Sequence, residues 1–127
     1  MHLEKRIQAF ISLGKFIGQF TSKEYKTKDN IPSNDSFFEG MIEQIRLAKI
    51  HNGWFTEENI NFACKSWTTA LSEENIKQWL SKYQFNNNSS KTIALIMAGN
   101  IPLVGFHDFL SVLISGNKVL VKLSSND

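Results

Sequence analysis

Residues 92–98, TIALIMA, form a short unbroken apolar run that ends in Gly-Asn-Ile-Pro, and a second β-branched run, KVLVKL, begins at residue 118. An apolar run of this length, bounded by turn residues, is what a strand buried on both faces requires, and residues 104–115 between the two runs are long enough for a helix. The order strand, helix, strand predicts a βαβ unit. Gly116-Asn117 stops the helix and restarts the chain within two residues, so the crossover is compact and right-handed and the strands are parallel.

The sequence before this unit has a different period. Leu3, Ile7, Phe10, Ile11, Ile17 and Phe20 fall at helical spacing over residues 3–20, with Glu4, Lys5, Gln8 and Lys15 on the other faces. Residues 21–36 lack periodicity and carry Pro, Asn, Asp and Ser, which predicts a loop containing KEYKTK as a solvated linker. A second helix is expected over residues 37–51, with Asn52-Gly53 as its C-terminal turn and Thr56 as the cap of a third. TEENI at 56–60 returns as SEENI at 72–76, a shared way of starting a helix with a hydroxyl cap and two acids. Ile60, Ala63, Cys64, Trp67 and Leu71 share one face of the third helix, which makes Cys64 an inert core thiol. QFNNNSSK, residues 84–91, separates the two kinds of pattern. The chain therefore divides into a helical region, residues 1–84, a linker, 85–91, and the start of a nucleotide-binding domain, 92–127.

Composition removes several classes of function. Apolar residues make up 42% of the chain, with ten Phe and three Trp, enough for a packed core. The net charge of +2 comes from interleaved acids and bases, so no footprint for nucleic acid or an anionic membrane stands out. IALIMAG is far shorter than the roughly 20 apolar residues of a membrane span. One cysteine excludes an internal disulfide and a cysteine-rich metal site, and nothing at the N-terminus reads as a signal peptide, so a cytoplasmic location is expected.

The expected fold class is α/β: an N-terminal helical region followed by the first βαβ of a Rossmann-like parallel sheet. Such sheets normally have several strands with helices on both sides, whereas only two strands are present here. SSND after the second strand supplies capping residues for another helix, so the sheet reads as truncated at that point.

In open α/β sheets, ligands lie beyond the carboxyl ends of the strands. Those ends are Gly99-Asn100 and residues 122–125. Gly99 lets the backbone turn or approach a ligand, Asn100 offers an amide donor, and Pro102 stands where the first helical turn should begin. Asn100 either caps the helix or meets a ligand, and Lys122 is either solvated or bound to phosphate or ribose; the pattern leaves both open. No Gly-rich phosphate loop is present. His107 and Asp108 are neighbours on a helix, point about 100° apart, and read as surface or packing residues rather than an acid–base pair.

The stretch AGNIPLVGFHDFLSVLISGNKVLVKLSSND resembles the start of the cofactor domain in the aldehyde dehydrogenase superfamily. Within it the likeness is to the long-chain acyl-CoA reductase family, the type that includes the fatty acyl reductase of bacterial bioluminescence. AGNIP is similar to that superfamily's Pro-Trp-Asn-Phe-Pro pattern, and GNKVLVKLSS to its Gly-Asn-x-x-x-x-Lys-Pro-Ser-Glu pattern, with matching spacing. NGWFTEENI and IKQWLSKY resemble the helical N-terminal part of the acyl-CoA reductases, so the likeness runs from about residue 52 and is fullest after residue 91.

The resemblance implies that Asn100 donates its amide to the oxygen of a tetrahedral thiohemiacetal. It implies that the backbone of Met97, Ala98 and Gly99 lines the nicotinamide-ribose side, that Lys122 holds the adenosine ribose, and that Ser124 and Ser125 border the same pocket. Ser125 replaces the family pattern's Glu and adds no negative charge, which favours NADPH, with NADH as the alternative. The implied reaction reduces a fatty acyl-CoA to an aldehyde: a cysteine thiolate displaces CoA to form an acyl-enzyme, and NADPH delivers hydride. The family's nucleophile lies downstream and Cys64 does not match it, so these 127 residues alone are expected to be inactive. A second copy or another subunit is a further expected partner. The rival reading is a non-catalytic helical interaction module with a remnant βαβ, and a third is an intact small nucleotide-binding protein.

Overall fold

The computed structural model describes residues 2–85 and 89–125, and in them the expected elements form with shifted ends. They are α1 (Leu3–Ile17), α2 (Asn34–His51), α3 (Glu57–Ala70), α4 (Glu73–Leu80), β1 (Thr92–Ile96), α5 (Phe106–Ile114) and β2 (Lys118–Lys122). The described chain is mixed α/β, with five helices and one two-stranded parallel sheet.

α1 stops at Ile17 rather than residue 20, because the chain turns after Gly18 and drives Phe20 into the core. There its ring lies 5.3 Å from Phe16, 5.6 Å from Tyr25 and 5.3 Å from Phe38. α2 begins at Asn34, three residues before the expected start, and its origin is polar. The Gln19 amide donates to Asn34 Oδ1 at 2.8 Å and the Asn34 amide donates back at 3.2 Å, both residues being buried. Two amides that satisfy each other offset their desolvation and fix the loop between α1 and α2. KEYKTK is not wholly solvated, since the half-buried Tyr25 donates to Glu57 Oε1 at 2.7 Å.

Thr56 and Ser72 cap α3 and α4, accepting from the backbone N–H of Asn59 and Asn75 at 3.2 and 3.3 Å. α1 is the central helix and packs against α3, α4 and α5. At Gly14 it comes close enough that an added Cβ would stand 2.6 Å from Leu71 Cβ. Ile7, Phe10 and Ile11 of α1 share one buried cluster with Ile60 and Cys64 of α3, Ile76 of α4, and Leu110 and Ile114 of α5. The Arg6 guanidinium Nε also donates to Ile114 O at 2.9 Å, closing the end of α5 onto α1.

β1 and β2 pair in parallel from Thr92↔Lys118 to Ile96↔Lys122, and Gly116 makes the intervening turn at φ +89°. Both strands end earlier than expected, at residues 96 and 122 rather than 98 and 123. The expectation that both faces are covered is corrected. Ile93, Leu95, Val119 and Val121 are half-buried, but Ile96 is 84% exposed and Leu120 64%. The reason is that α5 is the helix packed against the strands, and it covers one side.

Residues 86–88 of the expected linker and Asn126-Asp127 of the expected capping group lie outside the described residues. Among the described residues, no helix is long and apolar enough to cross a membrane.

Candidate functional site

β1 hands the chain over at its carboxyl end, where Met97 N–H donates to Lys122 O at 3.0 Å. Pairing thus sets Met97 beside the end of β2, with Lys122 exposed, Ser124 half-buried and Ser125 exposed beyond it. The Met97 side chain tucks under the start of α5: a Cβ on Gly105 would meet Met97 Cγ and Sδ at 2.6 Å. Of the residues proposed to line a cofactor, Met97 and Gly99 are half-buried and Ala98 is exposed.

Residues 98–105 leave the sheet as successive turns, not as a helix start. Val104 N–H donates to Ile101 O at 3.2 Å and Phe106 N–H to Leu103 O at 3.1 Å. Leu103 takes φ +60°, a left-handed conformation that a leucine rarely adopts and that the surrounding turns must hold. α5 begins only at Phe106, with Gly105 as its N-cap and no side-chain cap bond. The capping reading of Asn100 is therefore overturned, and Pro102 lies before the helix, buried in the turn.

Asn52, which sequence reasoning took only as part of a helix C-terminal turn, holds this loop. Its buried side chain donates to Gly99 O at 2.6 Å and accepts from Trp54 N–H at 3.1 Å. The end of α2 is thereby tied to the residue before Asn100, across 47 positions of sequence. No local signal marks such a bond, since it depends on where two distant turns meet.

Asn100 itself is exposed, and among the described residues its side-chain amide has no hydrogen-bond partner. It lines a groove of about 460 Å³ between α3 and residues 100–104, with Trp54, Phe62, Trp67, Ile101 and Leu103 among the walls. None of the residues lining it is charged. Lys122, Ser124 and Ser125 are not among them, so the two halves of the expected site share one end of the sheet without sharing one groove. Two larger hollows lie elsewhere, one of about 690 Å³ between α1 and α2 and one of about 750 Å³ beside Lys91 and Asn117 at the amino ends of the strands. Volume alone does not select the site; the uncommitted amide at a strand's carboxyl end does.

Cys64 is fully buried, and burial pushes its thiol from the ordinary 9.0 up to about 11. A thiol so protonated and enclosed is no nucleophile at neutral pH. His107 and Asp108 do approach, with Nδ1 3.6 Å from Oδ1, because both side chains lean across the angle between them. Both are exposed in the first turn of α5, and the His107 ring rests 5.9 Å from that of Trp79, outside the groove that Asn100 lines. Among the described residues no three His, Cys, Asp or Glu side chains converge to hold a metal ion.

No protein family, curated protein or solved structure matches the chain.

Proposed function

We propose that this chain is the N-terminal part of an NADPH-dependent acyl-CoA reductase, and that its β1–α5–β2 unit is the first βαβ of a Rossmann-like sheet. The observation that carries the reading is Asn100: an exposed amide with no side-chain partner among the described residues, beyond a parallel strand, on a loop tied by Asn52. An amide N–H offered from such a loop suits an oxygen that gains negative charge, and the Asn52 bond fixes the backbone that carries it.

The residues at the end of β2 fit the cofactor. Lys122 presents an exposed ammonium and Ser124 and Ser125 carry no charge, so a ribose phosphate would find a cation and no carboxylate there. NADPH held by Lys122, Ser124, Ser125 and the backbone of residues 97–99 would supply hydride. Asn100 would orient the acyl carbonyl. The nucleophilic cysteine would come from sequence beyond residue 127, since Cys64 is enclosed in the helical core.

The exposed apolar face bearing Ile96 and Leu120 supports a sheet that is completed by further elements. The same face also favours the second reading, a non-catalytic helical module that uses it to hold another subunit.

The test is to extend the reading frame past the codon for Asp127 and assay the complete polypeptide for acyl-CoA reduction with NADPH. Asn100→Ala should lower kcat by about 10²–10³-fold, the usual effect of removing one oxyanion donor. A frame that stops at that codon, or a turnover unchanged by Asn100→Ala, would replace the reductase with the module.

A further inference from the structure

The hollow at the amino ends of β1 and β2 gathers positive charge from two distant parts of the chain, because Arg6 and Lys91 both line it. One turn, between α5 and β2, positions the two. Lys91 is fixed there through its backbone: its N–H donates to Asn117 Oδ1 at 3.0 Å, and its carbonyl accepts from Lys118 N–H at 2.8 Å. Arg6 arrives from α1, with Nε donating to Ile114 O at 2.9 Å. Its Cζ and both terminal nitrogens lie 3.4 Å from where a Cβ on Gly116 would stand, so the half-buried guanidinium rests against the bare backbone of the turn. Among the described residues that line the hollow there is no Asp or Glu, and Lys91 has no ion pair among the described residues. His107 also lines it but stands 3.6 Å from Asp108, so the charge of the wall is that of Arg6 and Lys91. Like charges brought to one turn repel, and an anion between them relieves the repulsion.

We propose that this hollow binds an organic phosphomonoester, its phosphate held by Arg6 and Lys91 and its flat body against Trp79 and Tyr83. The site is separate from Asn100 and does not depend on the reductase reading. Two cations with no carboxylate in the wall match a dianion, and a phosphomonoester carries a charge of about −1.5 to −2 at neutral pH. The guanidinium offers a fixed fork of donors, while the flexible stem of Lys91 lets its ammonium follow the phosphate. Further donors stand ready, since among the described residues the hydroxyls of Tyr83 and Ser90 have no hydrogen-bond partner. Those of Ser111 and Ser115, by contrast, are spent on the carbonyls of His107 and Val112, each at 2.8 Å. The opposite wall is aromatic: the Trp79 and Tyr83 rings lie 6.2 Å apart at 71°, and Tyr83 is 57% exposed. Such a wall offers ring faces to a planar body, which a free phosphate ion does not have.

Trp79 is the reporter, because Trp54 and Trp67 line the groove beside Asn100 instead. The indole N–H signal that Trp79→Phe removes is followed by nuclear magnetic resonance while the 127-residue chain is titrated with phenyl phosphate, benzoate or inorganic phosphate. Titrations are run at one ionic strength and about pH 7.5, where a phosphomonoester is a dianion. Phenyl phosphate should shift that signal saturably, with a Kd at least about tenfold below that of inorganic phosphate, which lacks the ring. Benzoate, a flat monoanion, should bind about fivefold more weakly than phenyl phosphate or worse. Lys91→Gln should weaken phenyl phosphate about fivefold or more with the circular dichroism spectrum unchanged, its side chain being exposed. Lys65→Gln, exposed on α3 and outside the hollow, should leave the affinity unaltered. The proposal is overturned if phenyl phosphate leaves the Trp79 signal in place, if benzoate or inorganic phosphate binds as tightly, or if Lys91→Gln weakens binding no more than Lys65→Gln.

Discussion

Asn52 and Asn100 are chemically identical amides near one strand end, and their surroundings separate them. Asn52 is buried with its donor and acceptor both engaged, whereas Asn100 is exposed with neither engaged among the described residues. Removing each should therefore be read by a different instrument. Asn52→Ala leaves Gly99 O without its donor and should cost about 1–3 kcal/mol of stability, measured by urea unfolding. Asn52→Asp should do no better, since a carboxylate cannot donate to that carbonyl. Equal stability of Asn52→Ala and the parent chain would refute the tie. Of the two amides, only Asn100 was legible in the sequence, because it interrupts an apolar run. Asn52 followed a helix and preceded a glycine, which is the local signature of a helix end and says nothing of a partner near residue 99.

At the scale of elements, the periodicity that marks α1 to α4 records which side chains meet the core, but not where a helix stops. α1 and α2 both ended or began three residues from expectation because Phe20 and the Gln19–Asn34 pair act through tertiary contact. β1, α5 and β2 were readable in order and in parallel sense from run lengths and the Gly116 turn. Their faces were not, since a continuous apolar run reads alike whether one side or two are covered. Nor was the turn at 101–104, which lengthens the connection enough that Gly105, and not Asn100, precedes α5. Gly14 makes a test of packing between elements. Gly14→Ala gains helix propensity worth about 1 kcal/mol, but its methyl meets Leu71 Cβ and backbone, and overpacking costs about 1–3 kcal/mol. Net destabilisation in thermal unfolding is expected; a stabilised variant would mean that α1 and the α3–α4 junction have room to part.

Among the described residues one buried cluster draws on both the helical region and the βαβ unit, and two groups, Cys64 within it and the half-buried Tyr25 packed against it, make its stability depend on alkali. Burial raises the Cys64 thiol from 9.0 to about 11. Burial, then the hydrogen bond to Glu57, raises Tyr25 from 10.0 to about 12. In both cases the unfolded chain releases its proton first. Folding stability is thus full below about pH 9 and declines as pH rises through the interval from 9 to 12. The urea midpoint should stay level between pH 7 and about 9 and then fall, and Cys64→Ala should flatten the first part of the fall. A midpoint with no change of slope near pH 9 would contradict the enclosed thiol. The bond from Arg6 to Ile114 spans 108 residues, and it has a consequence for biosynthesis. α1 is translated before α3, α4 and α5, against all of which it packs, so the part of its apolar side that meets α5 stays open to solvent and to chaperones until residue 114 has been translated.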